Sequence, residues 1–309
     1  MLTDSLSMPS KAVLLPVLTL TTGILLGCST PMMQAPTSYP EEIAAWRAER
    51  LENLTSDTGW LTLTGLYALE QGANTLGSAP DATVLLPPSA PSQAGIIVVE
   101  GNNIRLEQGV ALTVDGEQFT TGQLIADDPG PPTVVESGTV SLFVISRGDQ
   151  LLARVRDSAS SSRGAFAGIS SYPLNPGWRF TARFEPYEPI RQIKIANVLG
   201  QISDNPSWGA VVFEHQGEEY RLDALAEPGD PELFMIFADG TSGRETYGAG
   251  RYLYLDAPDA NGMIDLDFNR AYNPPCAFTP FATCPLPPRQ NRLALRIEAG
   301  ERKYQELSH

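Results

Sequence analysis

The stretch Val140-Ser141-Leu142-Phe143-Val144-Ile145-Ser146-Arg147-Gly148-Asp149-Gln150-Leu151-Leu152-Ala153-Arg154-Val155 holds two short apolar runs on either side of Arg147-Gly148-Asp149. Runs of this length, rich in Val, Ile, Leu and Phe and separated by a glycine turn, predict two antiparallel strands of a hairpin. The same pattern recurs on both sides. Upstream it appears as Trp60-Leu61-Thr62-Leu63, Gly65-Leu66-Tyr67 and residues 82–86, 95–100, 103–107 and 111–114, with Gly101-Asn102 and Asp115-Gly116 as hairpin-type turns. Strand signals recurring about every ten residues read as an antiparallel sandwich or barrel. The 27 glycines and 26 prolines supply the turns that so many strands require.

Downstream, strands are expected at residues 180–184, 190–197, 209–215, 218–225, 233–237, 252–255, 263–268 and 293–297. A proline-rich break from Tyr172-Pro173 to Pro176-Gly177 places a boundary near residue 175. One helix is expected before the strands. Ile43, Trp46, Arg47, Arg50, Leu51 and Leu54 follow the spacing of one helix face, and Glu41 and Glu42 suit the first turn. Its Trp46/Leu51/Leu54 stripe is expected to pack on a sheet. The fold expected is therefore mainly β. A helix and sandwich would occupy 41–174, and a second antiparallel β domain, barrel or sandwich, 175–309.

The N-terminus reads as a processing segment. An apolar run over residues 12–26, preceded by Lys11, ends in Leu25-Leu26-Gly27-Cys28. The run is shorter than the roughly 20 residues that span a bilayer and has the length of a signal-peptide core. A small residue followed by cysteine reads as a lipoprotein signal over 1–27, with Cys28 lipidated and residues 28–40 as a tether. The alternative is a plain secretory signal or a membrane-bound N-terminus with an unmodified cysteine. Ser29 after the cysteine resembles the sorting default toward the outer membrane. The expected location is the cell envelope, lipid-anchored on the periplasmic face of the outer membrane. In an exported chain, the two further cysteines, Cys276 and Cys284, point to one disulfide, or else to two buried thiols.

The charge excludes one partner class. Acidic residues outnumber basic ones 36 to 21, giving a net charge of −15. Such a surface repels phosphate backbones, so no nucleic-acid partner is expected, and the acyl chains alone would hold the membrane. No protein partner is indicated. The chain has two histidines, His215 and His309. It has too few His and Cys for a zinc site, and it lacks a nucleophile elbow and a glycine-rich phosphate loop. No metal or cofactor is expected. The loop over residues 256–267 resembles a calcium loop but lacks carboxylates at its first and last ligand positions, so a hairpin with an Asn261-Gly262 turn is expected there.

The densest polar grouping lies between residues 237 and 291. Arg251, Arg270 and the earlier Arg156 are cations set among aromatics. Asp239, Asp267, Asn269 and Asn273 offer carboxylates and amides, and Thr241 and Tyr247 hydroxyls. Arginine forks bind carboxylate or phosphate bidentately, which would suit a small polar or anionic ligand. Asp239 and Asp267 are the candidate general bases if the chain is a cofactor-free hydrolase. The competing expectation is a buried polar network that clamps the proline-rich loops of a structural or assembly lipoprotein.

Two resemblances extend these readings. Asn74-Thr75-Leu76-Gly77-Ser78, residues 81–86, Val114-Asp115-Gly116 and Leu124 resemble a forkhead-associated sandwich. Ser78 stands where that family has its arginine, and no histidine follows near Ser92, so the resemblance implies the scaffold without the phosphopeptide grip. The strings of residues 237–251, 267–276 and 284–288, with Gly59-Trp60-Leu61, Arg154-Val155-Arg156-Asp157 and Tyr172-Pro173, closely resemble an uncharacterised bacterial and archaeal family. This is the domain-of-unknown-function family 1684, matched over roughly residues 41–305. That resemblance implies membership and supplies no activity.

Overall fold

The computed structural model describes residues 38–127 and 130–304. Cys28, the export signal, most of the tether and His309 lie outside the described residues. The hairpin of residues 140–155 forms as expected, with Arg147 opposite Gln150 and Gly148 at a φ of 59° in the turn.

The first half contributes β1 (Leu63–Ala68), β2 (Gly72–Gly77), β3 (Val84–Leu85), β4 (Gly95–Glu100), β5 (Asn103–Glu107), β6 (Thr113–Val114), β7 (Glu117–Gln118), β8 (Gly122–Leu124), β9 (Val135–Ser137), β10 (Val140–Arg147) and β11 (Gln150–Asp157). They form two sheets, in the orders β1-β11-β10-β9-β6-β7 and β3-β2-β4-β5-β8. All pairings are antiparallel except the short β2–β3 pair. Leu76, Ile97 and Leu106 of one sheet and Leu142, Val144 and Val155 of the other share one apolar core. Alternation along each strand sends these side chains inward and polar ones outward, which is the logic of a sandwich.

The second half contributes β12 (Arg179–Ala196), β13 (Ile202–His215), β14 (Glu218–Ala224), β15 (Glu232–Phe237), β16 (Arg251–Asp256) and β17 (Met263–Asp267). Their orders are β14-β13-β12-β17 and β15-β16. Val211, Leu222, Leu233, Phe237, Leu253 and Phe268 lie in its core.

Three expectations need correction here. Residues 180–184 and 190–197 belong to one long strand. Its register against β13 shifts between Pro186 and Arg191, and that irregular stretch absorbs Pro186 and Pro189, which cannot donate to the ladder. The Asn261-Gly262 turn forms, with Gly262 at a φ of 73°, but it does not close a hairpin. β16 pairs with β15 and β17 with β12, so the turn carries the chain between sheets. Residues 293–297 are irregular rather than a strand, although Ile297 is fully buried.

The helix α1 spans Tyr39–Thr55, with Pro40 at its start and Glu41 and Glu42 in its first turn. Its buried residues are Ile43 and Leu54, whereas Leu51, expected on the packed stripe, is 37% exposed. The helix packs on loops rather than on a sheet face. Tyr39 and Arg50 hold it to Asp267 and Glu301, and Trp46 meets Tyr272. No helix among the described residues is long and apolar enough to cross a membrane.

Candidate functional site

The residues singled out in the sequence fall into two packed networks. In the first, Arg251 is fully buried and its Nη2 lies 3.4 Å from Asp239. Nη2 also donates to the Ile297 carbonyl at 3.0 Å, and Nη1 donates to that of Ala299. Asp239 accepts from Thr241 Oγ1 at 2.9 Å, Ser242 Oγ at 3.1 Å and the Ile297 N–H at 2.7 Å. Burial pushes the Arg251 guanidinium down in pKa, and Asp239 opposes that shift. The network ties the irregular segment 293–299 to β16. That segment makes few ladder hydrogen bonds of its own, so its buried backbone groups take side-chain partners.

In the second network, Asp267 accepts from Tyr39 Oη at 2.9 Å and from the Asn269 N–H at 2.9 Å. Asn269 Nδ2 donates to Tyr39 and to the Asn175 carbonyl, and Arg270 pairs with Glu42. The Asn273 N–H donates to Glu301, Asn273 Nδ2 to the Arg302 carbonyl, and Tyr247 Oη to the Cys276 carbonyl. These contacts seat α1 and the loop that follows β17. Arg156 lies apart from both groups, over the Phe143 ring at 4.6 Å. Cys276 and Cys284 are joined by a disulfide.

A sizeable concavity lies elsewhere, where α1, the β10–β11 hairpin and the β15–β16 hairpin meet. It is a cleft of about 670 Å³. Trp46, Glu49, Arg50 and Asn53 line one side, at the i, i+3, i+4, i+7 spacing of one helix face. Glu232, Phe234, Tyr252 and Tyr254 line another, at alternating positions that put them on one face of β15–β16. Trp60, Arg147 and Arg154 form the floor with Thr283 and Cys284, so the disulfide-closed loop is part of the wall. A smaller cleft of about 210 Å³ shares Trp46, Glu232, Tyr254 and Tyr272 with it and adds Asp256, Asp267 and Arg270. Two of the expected site residues therefore border the neighbouring cleft and none lines the main one.

The aromatic walls are mutually braced. Phe234 stacks on Tyr254 at 4.7 Å between ring centroids and meets Tyr252 edge-on at 5.0 Å. Tyr252 and Tyr272 have their phenol pKa values pushed up, first by burial, and both remain neutral hydroxyls in neutral solution.

The charges on the floor are unevenly matched. Arg50 is paired with Glu301 at 3.1 Å and caps the Tyr272 ring at 4.7 Å. Arg147 is paired with Asp127 at 2.8 Å. Arg154 is only 4% exposed and has no carboxylate partner among the described residues. Its one hydrogen bond is a 3.3 Å contact from Nη2 to Thr283 Oγ1, an oxygen that also accepts from Arg147. Its Nε has no acceptor. Burial pushes its guanidinium down to about 10, the nearby Arg147 and Arg156 add to that, and Asp127 opposes it. A cation buried without a countercharge is costly, and an anion in the cleft would relieve the cost.

Arg154 is not among the candidate site residues that the sequence singles out, although it stands near the end of the run that decides the fold. A charged residue inside an apolar strand, between Ala153 and Val155, is the available signal. The aromatic residues carried no such mark, because strand tyrosines and phenylalanines at alternating positions are ordinary core.

Residues 164–302 match the model of a family described as "Protein of unknown function (DUF1684)". The matched span is narrower than the 41–305 expected. It contains the β15–β16 wall, Tyr272 and Thr283 but not Trp46, Trp60, Arg147 or Arg154. Among solved structures, the chain is similar to the solution NMR structure of an uncharacterized protein from gene locus rrnAC0354 of Haloarcula marismortui. That similarity is at 33% identity, covering 48% of this chain and 81% of that one, with a TM-score of 0.39. No curated protein matches.

Proposed function

We propose a ligand-binding role in the cell envelope for this chain, which belongs to the DUF1684 family. It would be anchored by lipid on Cys28 and would hold a small anion-bearing organic ligand in the aromatic cleft. The observation that carries the reading is Arg154, buried in the cleft floor with one neutral hydrogen-bond partner and no carboxylate paired with it among the described residues. A carboxylate or phosphate oxygen entering the cleft would supply the missing charge, and the neighbouring rings would cover the organic part. Asp239 and Asp267 already accept several hydrogen bonds from the protein itself, so binding is preferred to carboxylate-based hydrolysis.

The test is a calorimetric and thermal-shift screen of carboxylates and phosphates on the full-length protein in detergent, repeated on Arg154→Gln. At least one anion should bind and lose roughly tenfold or more in affinity in the variant, the size expected for losing one charged hydrogen-bonding partner. Equal binding by a correctly folded Arg154→Gln protein would refute the assignment. The envelope reading rests on Leu25-Leu26-Gly27-Cys28. Cys28→Ser should abolish fatty-acid labelling and release the protein from the membrane fraction.

A further inference from the structure

The cleft has two chemically different ends, and together they restrict the ligand further. Along β15–β16 the facing pairs are Glu232–Asp256, Phe234–Tyr254 and Ile236–Tyr252. Four strand residues separate the first pair from the last, about 13 Å at strand rise. The Ile236–Tyr252 end packs with Trp60 and Cys284, and Arg154 lies over Trp60 at 5.5 Å. That is the cationic end. At the other end Glu232 and Asp256 are exposed, and their side chains have no ion pair or hydrogen bond among the described residues. Glu49, on the helix side, is equally unpaired. The rings of Trp46, Tyr254 and Tyr272 line this end with Glu232 and Asp256, and the two arginines there, Arg50 over Tyr272 and Arg270, are already paired with Glu301 and Glu42.

Carboxylates beside aromatic faces form a cation-binding environment, most of all for an alkylated ammonium, whose poorly hydrated surface sits well against rings. The long-range field agrees. A chain of net charge −15 repels a simple anion, and Glu49 and Glu232 at the cleft would add to that repulsion. A ligand with no net charge escapes this field and still offers Arg154 its countercharge.

Building on the anion reading, we propose that the ligand is a zwitterion. Its carboxylate or phosphate would lie on Arg154 and Thr283. Its alkylated ammonium would lie among Trp46, Tyr254, Tyr272 and Glu232. The separation of the two ends favours an extended molecule over a compact one such as glycine betaine.

The experiment is titration calorimetry on the full-length protein in detergent with three matched series: trimethylammonio carboxylates of increasing chain length, the plain carboxylates and the plain trimethylammonium cations. A zwitterion of intermediate or long chain should bind roughly tenfold or more tighter than both controls of its length. Glu232→Gln, an exposed and conservative change, should remove that advantage and leave plain carboxylate binding undiminished. If carboxylates bind as tightly as zwitterions, or bind while zwitterions do not, the inference fails and the anion reading stands. If ammonium cations match the zwitterions and Arg154→Gln changes neither, the anion reading fails as well. Absence of binding throughout the zwitterion series overturns the inference outright.

Discussion

Arg251 and Arg154 are both buried arginines on β-strands, 0% and 4% exposed, yet their surroundings are opposite. Arg251 is enclosed with Asp239 and two backbone carbonyls and lines neither of the two clefts described above. Arg154 stands on the wall of an open cleft between aromatic rings, with the Thr283 hydroxyl as its one hydrogen-bond partner among the described residues. Burial of a charge therefore does not mark a binding site. Burial without a paired carboxylate, beside space that a ligand can enter, is what the proposed site rests on. The first arrangement stabilises a segment with few ladder hydrogen bonds, and the second leaves an electrostatic cost standing until something binds.

The sharpest way to break the comparison is to replace each arginine with methionine. Arg251→Met strands Asp239 in the core and should cost about 3–5 kcal/mol, read from urea denaturation. A loss below 1 kcal/mol would mean that the network is not structural. Removing the disulfide with Cys276→Ser and Cys284→Ser should cost about 2–3 kcal/mol. It should also weaken binding in the cleft, because Thr283 and Cys284 belong to its wall. Asp267→Asn should cost about 1–2 kcal/mol by loosening Tyr39 and the start of α1, with a smaller effect on ligand affinity than any change at Arg154. Arg154→Met is expected to leave stability unchanged or raise it by about 1 kcal/mol while abolishing ligand binding, since it removes a buried charge that Asp127 offsets only from a distance. Strong destabilisation by Arg154→Met would put the two arginines in the same class and dissolve the contrast.

Several features were readable from local chemistry. Short apolar runs and glycine turns located the β10–β11 hairpin, and the face spacing from Ile43 to Leu54 located α1. Two cysteines in a chain read as exported anticipated the bridge. Errors came where partners distant in sequence decide. β12 continues past Pro186 and Pro189 because β13 supports it on both sides of the irregular stretch. Leu51 faces outward because α1 sits on loops, which demand a narrower apolar stripe than a sheet face. The polar residues 239–273 do gather in space, as their density suggested, but most turn toward one another.

By itself, the order of residues determined the β character, the helix, the turns and the net charge of −15. Each of these follows from interactions within a few positions or from composition alone. Tertiary structure decided which arginine is paired with a carboxylate and which, among the described residues, is not. Asp239 reaches Arg251 through an irregular segment, while the space beside Arg154 is bounded by a helix, two hairpins and a bridged loop from distant parts of the chain. Whether a countercharge lies within a few ångströms depends on how those elements meet, and no local pattern encodes that distance.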